Sequence, residues 1–119
     1  MRDDKENIIV NKSFQFALDI IKYCEILENE KKYIVSKQLL KSGTSIGANI
    51  REAQNAESKA DFIHKLKIAA KEADETEYWI LICKHSSSYP FEESLLDSVK
   101  ELIKIISKII SSSKSNLRM

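Results

Sequence analysis

Asp61-Phe-Ile-His64 sets a carboxylate and an imidazole three residues apart, the spacing with which di-iron helix bundles project two ligands from one helix. A complete site of that kind needs a second acid–histidine pair and further carboxylates from other helices. His85 has no such acid, and His64 falls on the side of its helix opposite Phe62 and Leu66. Asp61 is better used at a helix start, so no metal ligand is assigned. Gly43-Thr-Ser-Ile-Gly47 lacks the Gly-Lys-Ser/Thr ending of a phosphate loop, and it lies within a helix, where the amides are already bonded. No serine or cysteine can be paired with a histidine and an acid by spacing, and the many serines suit caps, turns and a tail. Cys24 and Cys83 stand alone without zinc-site spacing and read as small buried residues rather than a disulfide. The expectation is a non-enzyme with no catalytic, metal or cofactor residues.

What remains is the chemistry of cations. Lys37, Lys41 and Arg51 share one helical face, and Lys67 and Lys71 share another with His64 and Tyr78. These five are the candidate nucleic-acid contacts, because each lysine or arginine that neutralises a phosphate adds salt-dependent affinity. The alternative for such faces is solvated charge. With 19 basic against 18 acidic residues, the chain has no net field that by itself calls for a polyanion.

The elements that must position these residues are helical. One proline, two glycines and 43% hydrophobic residues in 119 suit a single all-α domain over 1–119. The periodicity predicts helices over about 7–28, 32–55, 58–85 and 90–112, followed by a polar C-terminal tail. In the first, Val10, Phe14, Ala17, Ile21 and Cys24 make the core stripe, widened by Leu18, Ile20 and Leu27. The second buries Val35, Leu39, Ser42, Ile46, Ile50 and Ala53. Ser58-Lys-Ala-Asp61 reads as a capping box, after which Phe62, Leu66, Ala69, Ala73, Thr76, Ile80 and Cys83 repeat at four-three spacing. Pro90 is placed as the first residue of the fourth helix, whose seam is Leu95, Val99, Leu102, Ile106 and Ile109. Short links between four helices make an antiparallel up-down-up-down bundle.

Gly43 and Gly47 sit one turn apart on the flank of the second helix, where each costs about 1 kcal/mol relative to alanine. They mark a close helix contact, within the chain or between subunits. Ile68, Trp79 and Ile82 lie on a flank of the third helix away from its seam, and a further apolar surface of that kind suits an interface. That helix also carries Lys59, Lys65, Lys67 and Lys71 in its first half and Glu72, Asp74, Glu75 and Glu77 in its second. Opposite blocks suit head-to-tail contacts, or equally pairing with neighbouring helices.

Ser36-Lys-Gln-Leu-Leu-Lys-Ser-Gly-Thr-Ser-Ile-Gly-Ala-Asn-Ile-Arg-Glu-Ala-Gln54, with Ala56 to Leu66, Ala70-Lys-Glu-Ala73 and Glu77-Tyr-Trp79, resembles the four helix bundle proteins of the 23S rRNA-intervening sequence protein family. The motif covers about Ser36 to Trp79. The resemblance implies a left-handed bundle, assembly into a ring, with a pentamer expected, and no catalytic residues. Such proteins are similar to the accessory proteins of diversity-generating retroelements, basic bundles that bind nucleic acid and a reverse transcriptase. This chain differs in being nearly neutral.

The polar start and the shortness of the longest apolar run, Tyr78 to Cys83, predict a cytoplasmic protein without a membrane span. The function expected is a homo-oligomeric scaffold or adaptor whose partner is RNA, DNA or a nucleic-acid enzyme. A protein-interaction module without nucleic-acid contact is the alternative, and a small-molecule or metal-dependent enzyme stands third.

Overall fold

The structure, a computed structural model, describes residues 4–118, with side chains described for 8–115. Four helices follow one another: α1 (Asp4–Asn29), α2 (Tyr33–Ala53), α3 (Lys59–His85) and α4 (Glu93–Arg118). Each packs on its chain neighbours, and α4 closes on α1, while across the diagonals no two Cα atoms come within 8 Å. The long axis measures 52 Å and the cross-section 21 by 21 Å, so the helices stand at the corners of a square.

Every neighbouring pair is antiparallel. Along α1 the positions Ser13, Ile20 and Cys24 meet Gly47, Gly43 and Ser36 on α2 in descending order. Glu52 and Ser42 on α2 meet Lys65 and Thr76 on α3, and Lys12 and Tyr23 on α1 meet Glu101 and Pro90 around α4.

The predicted core stripes of α2, α3 and α4 are all buried. The α1 stripe is not the predicted one. Phe14 is 61% exposed and Leu18 and Ile21 are each 39% exposed; of the predicted residues Cys24, Ile20 and Leu27 are buried, and Ile9, Ser13, Phe16 and Tyr23 join them in the core. At 100° per residue the true stripe lies about 100° from the predicted one, equivalent to a shift of one position. Apolar residues, Ile8 and Ile26 among them, cover well over half the circumference of this helix, so its periodicity has two acceptable faces.

The ends follow from capping chemistry. Ser58 Oγ accepts the Asp61 N–H at 3.0 Å and Asp61 Oδ2 accepts the Glu57 N–H at 3.2 Å, so the predicted cap forms and uses up the Asp61 carboxylate. Pro90 is not the first residue of α4; it lies in the preceding loop, where its carbonyl accepts the Tyr23 hydroxyl and ties that loop to α1. Nor does the chain leave the helix at 112, since α4 continues to Arg118 with Ser113 buried. Likewise α1 starts at Asp4 instead of near 7.

Helix α1 ends in a Schellman turn: the Lys32 N–H reaches the Leu27 carbonyl at 2.8 Å and the Lys31 N–H reaches Glu28 at 2.9 Å, with Lys31 at φ 63°. Glycine adopts that left-handed conformation without the steric cost of a Cβ. Lys31→Gly is therefore expected to stabilise the fold by about 0.5–1 kcal/mol, read as a higher urea midpoint at unchanged slope.

Candidate interaction surfaces

The glycine flank of α2 faces α1 in the same chain. A Cβ on Gly43 would stand 2.9 Å from Ile20 Cγ2, and one on Gly47 would stand 3.2 Å from the Ser13 backbone oxygen. Small residues continue the contact: Ser36 Oγ donates to the Cys24 carbonyl at 3.2 Å, and Cys24 Sγ donates to the Ser36 carbonyl at 3.4 Å. Across the α2–α3 seam the Ser42 and Thr76 hydroxyls are 2.9 Å apart. Among the described residues every buried side-chain nitrogen and oxygen has a partner.

Close approach of α1 and α2 creates a groove on the outside of their seam. Its volume is about 500 Å³, and its lining includes Val10, Phe14, Ala17, Leu18 and Ile21 from α1 with Thr44, Gly47, Ala48 and Arg51 from α2. Gly47, having no side chain, leaves the floor open. This groove consists largely of the residues expected in the core of α1, and exposed Leu40 extends it along α2. It is the feature that reading the sequence missed. The available signal was the excess width of the α1 apolar arc.

A second apolar face lies over the α2–α3 seam. Ile68, Trp79 and Ile82 are half-buried there, Trp79 and Ile82 packing partly on the core. Trp79 Nε1 donates to Glu75 at 3.2 Å, and Tyr78 meets the Trp79 ring edge-on at 5.2 Å between centroids. The 42–76 and 52–65 pairings place Ile34, 81% exposed, level with Ile82.

All five candidate cations are exposed, and none has an ion-pair partner among the described residues. They do not form one patch. Lys37 and Lys41 lie on the outer face of α2, Arg51 borders the groove toward α1, and Lys67 and Lys71 occupy the outer face of α3. In contrast, Lys12, Lys65 and Lys84 reach Glu101, Glu52 and Glu93 at 3.1–3.6 Å. His64 is exposed, and its neighbour Asp61 is engaged in the cap.

Cys24 and Cys83 are free thiols, both buried. Burial pushes the Cys24 thiol up to about 11 and raises that of Cys83. Tyr23, which touches Cys83 and is also buried, is raised mainly by the same loss of water. These groups are held neutral and serve packing. Among the described residues no helix is long and apolar enough to cross a membrane.

Comparison with known proteins agrees with this architecture. The family model of the 23S rRNA-intervening sequence protein matches residues 5–112. The chain is similar to a protein of unknown function from the S23 ribosomal protein family of Bacteroides thetaiotaomicron VPI-5482, seen in a 1.70 Å crystal structure. The two share 47% identity with a TM-score of 0.85, over 90% of this chain and 98% of the other. No curated protein matches.

Proposed function

The chain belongs to the 23S rRNA-intervening sequence protein family, and from that premise we propose that it is a non-enzymatic homo-oligomeric scaffold that binds nucleic acid, or an enzyme acting on it, through repeated basic faces. The observation that carries the oligomer is the α1–α2 groove: Phe14, Leu18, Ile21 and Leu40 form a continuous apolar surface left to water. Such a surface on a monomer is costly at about 25 cal/mol per Å², and patches of this kind mark interfaces.

The cations supply the partner chemistry. Lys37, Lys41, Arg51, Lys67 and Lys71 have no carboxylate bound to them among the described residues, and assembly multiplies them. Several weak contacts that act together raise affinity well beyond that of one subunit.

Light scattering should report a multiple of the chain mass, and fluorescence anisotropy should report salt-dependent binding to structured RNA or to DNA. Neutralising all five cations should remove that binding and flatten the salt slope by about one unit for each phosphate no longer neutralised. A multimer that binds neither polymer at any salt would support the protein-interaction reading instead. A monomeric mass would defeat the scaffold.

A further inference from the structure

Resting on the nucleic-acid part of that reading, we propose that the contact is made by the outer face of the α3–α4 pair, where Lys67, Lys71, Lys104 and Lys108 hold the phosphate backbone of a nucleic-acid duplex without reading its sequence. Three observations carry it.

The first is how unevenly the charge is spread. Residues 59–71 of α3 hold four lysines and one acid, and residues 102–114 of α4 hold three lysines and no acid, a formal charge of +3 on each. In a chain of net charge +1 these two segments carry +6, so everything else sums to −5. The neutrality of the whole chain is therefore a balance between two regions, and a local field of one sign steers a polyanion even where the total is close to zero. The one acid in the basic region, Asp61, is engaged in the cap of α3.

The second is placement. The pairs 12–101, 13–47, 42–76 and 52–65 run around the square from α4 back to α3. By that register Lys67 stands within a turn of Lys104, and Lys108 lies just beyond, so the four lysines fall within about 13 Å of bundle length at 1.5 Å per residue. All four are exposed, and none has an ion-pair partner among the described residues. Lys37 and Lys41 of α2, in contrast, stand beside the acidic stretch Glu72 to Glu77 of α3 by the 42–76 pair, which offsets their field. The α3–α4 face is also opposite the α1–α2 groove in the square, so whatever covers the groove leaves these lysines in water.

The third is what lies between the cations. Ser107 and Ser111 are exposed beside them on α4, and no large hydrophobic side chain of that helix is exposed among the described residues. Tyr78 is exposed on α3, but it lies two turns beyond Lys71 among Asp74, Glu75 and Glu77. A helix that lies on a membrane presents apolar side chains alongside its cations, and a single-strand groove supplies aromatic rings on which bases stack. Lysines and hydroxyls alone meet phosphate oxygens, and such contacts position a duplex while carrying no sequence information.

The test is fluorescence anisotropy of the full chain on a short blunt RNA duplex, a DNA duplex of the same sequence and the corresponding single strands, across a salt series, with co-sedimentation on phosphatidylserine vesicles beside it. Duplexes of unrelated sequence should bind alike, and more tightly than single strands or vesicles; whichever of RNA and DNA binds tighter identifies the source of the phosphates. Replacing Lys67, Lys71, Lys104 and Lys108 together by glutamine should weaken duplex binding at least tenfold and flatten the salt slope by about three units, with helicity retained. The same four replaced by arginine should keep both affinity and slope, and Lys37→Gln/Lys41→Gln should change them much less. Duplex binding untouched by the four glutamines, tighter binding to single strands, or a preference for vesicles overturns this surface and leaves the scaffold standing. A parent chain that binds no nucleic acid overturns the nucleic-acid reading as well.

Discussion

Replacing Gly43 by leucine should destabilise the protein by several kcal/mol and separate α1 from α2. A Cβ at that position already falls 2.9 Å from Cγ2 and 3.0 Å from Cγ1 of Ile20, and Ile20 is a fully buried, β-branched side chain without a flexible end to move. Overpacking of this kind typically costs about 1–3 kcal/mol. For Gly43→Ala the gain in helix propensity offsets about 1 kcal/mol of that, so alanine should be destabilising by up to about 2 kcal/mol, whereas the larger leucine goes well beyond. Gly47→Ala, whose Cβ meets the Ser13 oxygen at 3.2 Å, should lie closer to neutral. Urea midpoints for the series give the order. A double-mutant cycle identifies the contact: Ile20→Ala alone leaves a cavity costing about 2–5 kcal/mol, and it should cost less in the Gly43→Ala background, where the added methyl occupies part of that space. Additive effects would mean that the two residues do not meet.

The second large effect is alkaline. Cys24 holds its proton up to about pH 11 when folded, against an ordinary value of 9.0, because burial disfavours the thiolate. An acid whose folded pKa is raised contributes stability that is fully present below the unfolded value and is lost as pH rises through the folded one. Cys24 alone should then remove about 2 kcal/mol between pH 9 and pH 11. Cys83 and Tyr23 are shifted in the same direction and add to the loss. Unfolding curves from pH 8 to pH 11 should show the wild type weakening steeply, and Cys24→Ala weakening less over the same interval. Identical slopes for both would mean that the Cys24 thiol is not held neutral by the fold.

Three of the four core stripes were legible in the sequence. α2, α3 and α4 each carry one dominant apolar seam at three- and four-residue steps, and that seam is the one buried. The Ser58–Asp61 cap was legible too, since a hydroxyl three residues before an acid satisfies orphan amides whatever the helix packs against. Helix α1 was different. Its apolar arc covers two faces, one for the core and one for the groove, and periodicity alone weights both alike. The tail likewise read as coil because Ser111 to Ser115 has little helix propensity, yet α4 continues through it and Ser113 is buried. Pro90 fits a helix start by its fixed φ, but its carbonyl is committed to Tyr23, 67 residues away, and no local rule contains that pairing.

Composition, the four-three repeats and the short links were enough to determine an antiparallel four-helix bundle, because that depends on which residues avoid water along each helix, while the family was legible only through the resemblance carried by the Ser36 to Trp79 motif. The glycine pair, the cations and the two cysteines were recognisable as exceptions. Only the tertiary structure decided that Gly43 and Gly47 receive α1, that Phe14 stays outside and that Arg51 borders the groove away from Lys67 and Lys71. The reason is geometric: local sequence sets the face a helix can bury, while the rotation it adopts depends on which neighbour can approach closely enough to fill the space.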